Sequence, residues 1–111
     1  MDTRLNYPEI IRKILTDFAE TYTRNGGCRL RILFDDKQKS YMVLHIGWHG
    51  NRYIHNAMIH IELIDDRIWI QNDHTEEGIA TGLLESGIPK EQIVLGFRHP
   101  KVRQYTEFAA A

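Results

Sequence analysis

The chain has 111 residues, 42% of them hydrophobic and 26% charged, which is the balance of a single globular domain over 1–111 and not of a disordered tail. Fourteen Lys and Arg against fifteen Asp and Glu leave a formal charge of −1. That excludes the broad basic excess of a dedicated nucleic-acid binder and leaves little long-range repulsion against self-association.

Tyr7 to about Tyr22 is predicted to be an amphipathic helix, with Ile10, Ile11, Ile14, Leu15, Phe18, Ala19 and Tyr22 on one face. Pro8 suits its first turn, Glu9 with Lys13 and Glu20 with Arg24 are i,i+4 pairs, and Asn25-Gly26-Gly27 ends it. Cys28 is the only cysteine, so an internal disulfide is impossible and a reducing compartment is expected. Four strands follow: residues 28–35, then 40–49 after an Asp36-Lys37-Gln38 turn, then Arg52 to Ile64, then Arg67 to Asn72. Gly50-Asn51 and Asp65-Asp66 read as two-residue hairpin loops, which makes the sheet an antiparallel meander.

The two loops fix a register. Trp48 faces Tyr53, Ile46 faces His55, Leu44 faces Ala57 and Met42 faces Ile59; beyond the next loop Leu63 faces Ile68 and Ile61 faces Ile70. These residues are the expected core face, with the first helix on it. The opposite face carries Tyr41, Val43, His45, Ile54, Met58, His60, Glu62, Trp69 and Gln71, a mixed set that another segment or another chain must partly cover. Tyr41, His60 and Trp69 fall near one another there and are interaction candidates.

Thr75 is placed to cap a second helix, with Glu76 and Glu77 in its first turn, a stripe of Ile79, Ala80, Leu83 and Leu84, and Gly87 and Pro89 at its end. Gly78 and Gly82 within it suggest close backbone packing. Ile93 to Phe97 is a short buried strand or extended segment, and Pro100 to about Tyr105 allows one more helical turn. The expected fold class is α+β: a four-stranded antiparallel meander with an N-terminal helix and a C-terminal helix plus short extended segment.

No arrangement of catalytic groups emerges. His45 and His49 share a strand face but lie about 13 Å apart, His55 points the other way, and His74 and His99 sit in turns, so no metal site is expected. Asp35-Asp36 and Asp65-Asp66 are turn residues, and Glu76-Glu77 open a helix. There is no phosphate-binding glycine loop, no nucleophile elbow and no patterned partner for Cys28. The chain is therefore not expected to be an enzyme or to hold a cofactor. Arg98, His99, Lys101 and Arg103, interleaved with Tyr105 and Phe108, form the densest polar cluster; Arg98 and Arg103 are interaction candidates, for protein first and nucleic acid second. No apolar run approaches the ~20 residues that span a bilayer, and the polar Met1-to-Pro8 stretch lacks a signal-peptide core, so a cytoplasmic protein without membrane contact is expected.

An ordered set of short segments resembles the XisI family. It runs through Leu44-His45-Ile46-Gly47-Trp48, Ile68-Trp69-Ile70-Gln71, Thr75-Glu76, Gly87-Ile88-Pro89-Lys90, Ile93-Val94-Leu95-Gly96-Phe97, Pro100, Arg103 and Thr106-Glu107-Phe108-Ala109. The resemblance implies an accessory factor that controls excision of the fdxN element, a DNA segment removed by a site-specific recombinase in filamentous nitrogen-fixing bacteria. It implies a XisH-like companion and the recombinase as partners, and supplies no catalytic residue. A homodimer is expected, with any DNA contact indirect. The alternatives are a direct DNA binder using the C-terminal Arg/Lys segment, and a non-catalytic subunit of a nuclease-like complex.

Overall fold

The computed structural model describes residues 6–24 and 29–110. Cys28 and the Asn25-Gly26-Gly27 helix stop lie outside the described residues.

The first helix, α1, is Tyr7–Arg24. Asn6 starts it: its Oδ1 accepts from the Glu9 backbone N–H at 3.1 Å, satisfying one of the donors that a helix start leaves free. Lys13 pairs with Asp17 at 3.1 Å, one turn on, in place of the expected Glu9. The buried stripe is Ile11, Leu15 and Ala19.

The strands are β1 (Leu30–Asp35), β2 (Ser40–His49), β3 (Arg52–Ile64), β4 (Arg67–Asp73) and β5 (Ile93–Leu95), in the spatial order β1-β2-β3-β4-β5. The first four form the expected antiparallel meander. The short Ile93 segment is a fifth strand, parallel to β4, so the sheet is mixed and has one strand more than expected. A parallel neighbour needs a crossover, and helix α2 (Ile79–Glu85) provides it. Beyond β5, a four-residue helix α3 (Pro100–Arg103) leads to Ala109, whose backbone N–H donates to the Ile93 carbonyl at 2.9 Å.

Both hairpin loops are as read from sequence. Gly50 has φ 64°, at the position where a II′ turn takes glycine, and Asp65 and Asp66 have φ 50° and 65°, the pair of left-handed residues of a I′ turn. Near those loops the register also matches: Trp48 opposite Tyr53, Ile46 opposite His55, Leu44 opposite Ala57, Leu63 opposite Ile68, Ile61 opposite Ile70.

Between the loops the expectation fails, and the cause is a bulge. Ala57 pairs with Leu44 but Ile59 pairs with Val43, which leaves Met58 as an extra residue in β3. A second irregularity leaves Gln71 extra in β4. Because side chains alternate with a period of two, one inserted residue turns the rest of the strand over. Ile59 and Ile61 therefore share a face with Val43 and Tyr41, not with Met42 and Leu44. Tyr41 and Val43, expected on the far face, are in the core with no exposed surface. Met58 packs against the core instead of lying opposite it.

The core joins Ile11 and Leu15 of α1 to Tyr41, Val43, Ile59, Ile61, Ile68 and Ile70, and is closed by Ile79, Leu83, Ile88 and Ile93. Each such aliphatic side chain contributes roughly 1.5–3 kcal/mol of burial.

Helix α2 starts later than its sequence suggests. Thr75 does not cap it; the Asp73 carboxylate accepts from the Ile79 backbone N–H at 2.7 Å and from the Thr75 hydroxyl and N–H. Glu76 and Glu77 precede the helix, and Gly78, with φ 85°, is its N-cap. Gly82 does face α1, but a Cβ there would sit at an ordinary 3.5 Å from Ile14.

Candidate interaction surface

Across β1 to β3 the sheet face turned away from α1 has no covering helix among the described residues. Alternation from buried Tyr41 and Val43 puts Met42, Leu44, Ile46 and Trp48 on that open face, with Leu33 beside them on β1 and Tyr53 and Ala57 across from them on β3. None of these side chains belongs to the core or packs against it. Trp48 is 70% exposed and Tyr53 52%, and their rings lie 5.1 Å apart at the end of the β2–β3 hairpin. Among the described residues the hairpin outruns β1, whose last bond to it runs from the Ile46 backbone N–H to the Arg29 carbonyl, so the Trp48–Tyr53 end projects as an arm with an aromatic tip. Soluble proteins rarely leave contiguous apolar surface of this kind without a partner. Apart from Leu33, to which no face was assigned, these residues were expected in the core. The signal against that reading was the nearly unbroken apolar run in β2, which suits a strand with demands on both faces better than a half-buried one.

The other half of the open face is polar and internally paired. His60 Nε2 lies 2.9 Å from Ser40 Oγ, and Gln71 donates to Glu62 at 3.1 Å. Trp69 lies under the C-terminal segment, with the Arg103 guanidinium 5.1 Å from its ring centre. Of the three interaction candidates on this sheet, His60 and Trp69 share the open face, while Tyr41 is on the opposite, buried one. His60 stands opposite Met42.

Tyr41 has a structural task. Its hydroxyl donates to Asp36 Oδ1 at 2.8 Å, and Arg12 of α1 donates to the same oxygen at 2.6 Å. Burial, then the Asp36 carboxylate, push the phenol up to about 12. The sequence offered no cue to this clasp, because its members lie in three separate elements.

The C-terminal basic cluster is also occupied. Arg103 donates through Nε to the Arg98 carbonyl at 3.0 Å and through Nη1 to the Ala110 carbonyl at 3.4 Å while stacking on Trp69. The Arg98 guanidinium lies 5.1 Å from the Phe97 ring centre. His99 Nδ1 accepts from the Lys101 backbone N–H and caps α3.

The histidines and acids stay apart: among the described residues no group of three or more His, Cys, Asp or Glu could hold a metal ion. Asp35 accepts from the backbone N–H groups of Lys37 and Gln38 in its turn. His45 meets Tyr22 edge-on, 6.2 Å between ring centres, and its Nε2 is buried without a hydrogen-bond partner. A cleft of about 760 Å³ opens between α1, Met58 and the start of α2, lined by Phe18, Tyr22, His74, Glu76 and Glu77 among others. No helix of the described residues is long and apolar enough to cross a membrane.

The model of the XisI protein family matches residues 1–110. The chain belongs to the XisI family. The crystal structure of a XisI-like protein from Anabaena variabilis ATCC 29413 is similar at TM-score 0.85, with 32% identity over 95% of this chain and 96% of that one. The structure of the fdxN element excision controlling factor XisI from the same organism is similar at TM-score 0.74, with 28% identity over 96% of this chain and 100% of that one. Comparison with curated proteins gives no match. In this XisI-family chain the Leu44-to-Trp48 segment leads from the pairing with β1 out into the hairpin arm. Leu44, Ile46 and Trp48 stand on the open face, and His45 lies toward α1. In the Ile68-to-Gln71 segment Ile68 and Ile70 are core, while Trp69 and Gln71 are on the open face.

Proposed function

We propose that this chain is a non-catalytic accessory factor in the excision of a DNA element, working in the cytoplasm through protein contacts with a XisH-like companion, a site-specific recombinase and a second copy of itself. The observation that carries this reading is the uncovered apolar half of the sheet, with its Trp48–Tyr53 tip, in a chain similar to a protein named as an excision controlling factor. Aromatic anchors beside aliphatic surface are what a protein partner buries, and they offer nothing to a phosphate backbone.

Direct DNA binding through Arg98 and Arg103 has less support. A guanidinium that already stacks on Trp69 and donates to two carbonyls must give up those partners to meet a phosphate.

The reading is tested by co-expressing the chain with its companion and measuring solution mass by light scattering. The excised circle is then scored by amplification across its junction, with the recombinase present. The expected results are a defined heteromeric complex and a circle that forms only when both accessory proteins are present. Separate peaks, together with excision unchanged when the chain is omitted, would overturn the proposal.

A further inference from the structure

The sheet ends at β1, and among the described residues nothing pairs with its outer edge. Natural edge strands are commonly guarded by proline, charged side chains or a bulge. Strand β1, Leu30-Arg31-Ile32-Leu33-Phe34-Asp35, has no proline, its pairing with β2 is regular, and its two charges, Arg31 and Asp35, are of opposite sign and can pair across an antiparallel edge. Its hydrogen-bond phase can be read from one contact. The Ile46 backbone N–H donates to the Arg29 carbonyl at 3.2 Å, so Arg29 and every second residue after it bond toward β2. The backbone groups of Leu30, Ile32 and Phe34 therefore point outward.

We propose that the outer edge of β1 pairs antiparallel with β1 of a second copy of this chain, about a two-fold axis through Leu33, joining the two sheets edge to edge. The self-association reading given above is the foundation; the surface and register are what this adds. Outward groups must meet outward groups, which restricts the registers. The one centred on Leu33 pairs Ile32 with the second copy's Phe34, and the two residues exchange both backbone hydrogen bonds. It also sets Arg31 opposite the second copy's Asp35 and Leu33 opposite itself, so that charge meets opposite charge and apolar meets apolar on both faces. Shifting the register by one allowed step in either direction puts Leu33 opposite a charged residue, Arg31 or Asp35. The Asp35 turn bonds use its Oδ1, which leaves its other oxygen for Arg31.

A six-residue edge alone falls short of the roughly 800 Å² per partner of a stable interface. Helix α1 lies over β1 and β2, and a cleft of about 450 Å³ between it and β1, lined by Ala19, Thr23, Leu30 and Ile32, opens on this same margin. The copy's helix and strand fill it.

The test uses the full chain in a Cys28→Ser background. Leu33 opposite itself is a non-hydrogen-bonded pair with Cα atoms about 4.5 Å apart, within disulfide reach. Leu33→Cys is expected to form a covalent dimer on mild oxidation, while Arg31→Cys, which faces Asp35, is not. Leu33→Lys sets like charges across the axis and is expected to weaken dimerisation at least about tenfold. Leu33 is 54% exposed, so the thermal transition of the separated chains should hold. A monomeric wild type at tens of micromolar would overturn this proposal and self-association together. A dimer that survives Leu33→Lys and does not cross-link at position 33 would overturn the β1 assignment alone. Loss of companion binding, with no dimer, in Leu33→Lys would give the edge to the companion and also overturn it.

Discussion

Tyr41 shows how much a single side chain can hide from sequence. It stands in a strand between Ser40 and Met42 and was placed by alternation on the wrong face. In the structure it is sealed in the core while its hydroxyl reaches Asp36, which Arg12 also holds. Tyr41→Phe removes one hydrogen bond to a carboxylate and is expected to cost about 1 kcal/mol in urea unfolding at neutral pH. The pH dependence follows from the phenol being pushed up to about 12 from an ordinary value near 10. The folded state keeps its proton where the unfolded chain has begun to lose it. The stabilisation is therefore complete below pH ~10 and disappears as pH rises toward ~12. The gap between wild type and Tyr41→Phe should narrow over that interval. A gap independent of pH would mean that neither burial nor Asp36 holds the phenol protonated. Leu33, Trp48 and Tyr53 were equally hard to place from sequence, since an apolar residue in a strand is ordinarily core.

At the scale of elements, the legible and the illegible parts separate by mechanism. Local chemistry was enough for the first helix and the hairpin loops: Pro8 in the first turn of α1, the Gly50-Asn51 and Asp65-Asp66 hairpins, and the strand limits they fix. Bulges are not written in local chemistry. Met58 is an ordinary strand residue, and only the demand that Tyr41, Val43, Ile59 and Ile61 share one core makes it the extra one. The open face was misassigned for this reason, and with it the candidate site. Deleting Met58 would remove the extra residue and leave Ala57 opposite Leu44 and Ile59 opposite Val43 in plain alternation, so both halves of β3 keep their faces and only the packing of the Met58 side chain is lost. The expected cost is about 2 kcal/mol in urea unfolding, with the circular dichroism of the sheet retained. A deletion variant that is unfolded or aggregated would show that the bulge itself, and not only the packing of Met58, holds the sheet in shape. Helix α2 makes a smaller point: Thr75-Glu76-Glu77 has the composition of a helix start, but Asp73 captures the first helical N–H and moves the boundary to Ile79.

The molecule as a whole is less round than its length requires. The Cα radius of gyration is 14.7 Å, against about 13 Å expected for a chain of this size. The projecting hairpin arm contributes to the difference. If the arm is the companion's docking site, Trp48→Ala with Tyr53→Ala should cost less than about 1 kcal/mol of stability, since an exposed cross-strand pair contributes little. It should weaken the companion complex by at least about 2 kcal/mol in calorimetry, as loss of buried aromatic anchors does. Undiminished binding would move the interface elsewhere on the sheet. The arrangement of the whole was the most legible feature of the sequence. The ordered XisI-like segments imply a fold that the structure displays, apart from the parallel fifth strand, which no short-range signal distinguishes from an extended loop.

That strand order also bears on how the protein acquires its structure. Strands β1 to β4 each pair with the next in sequence, so their contacts close short loops and can form early with little entropic cost. Strand β5 is different: it reaches β4 only after α2 has crossed over, and Ala109 then docks on β5 through the Ile93 carbonyl. The meander should therefore assemble first. The C-terminal third would dock last and open first, and its amides would exchange with solvent sooner than those of β2 and β3.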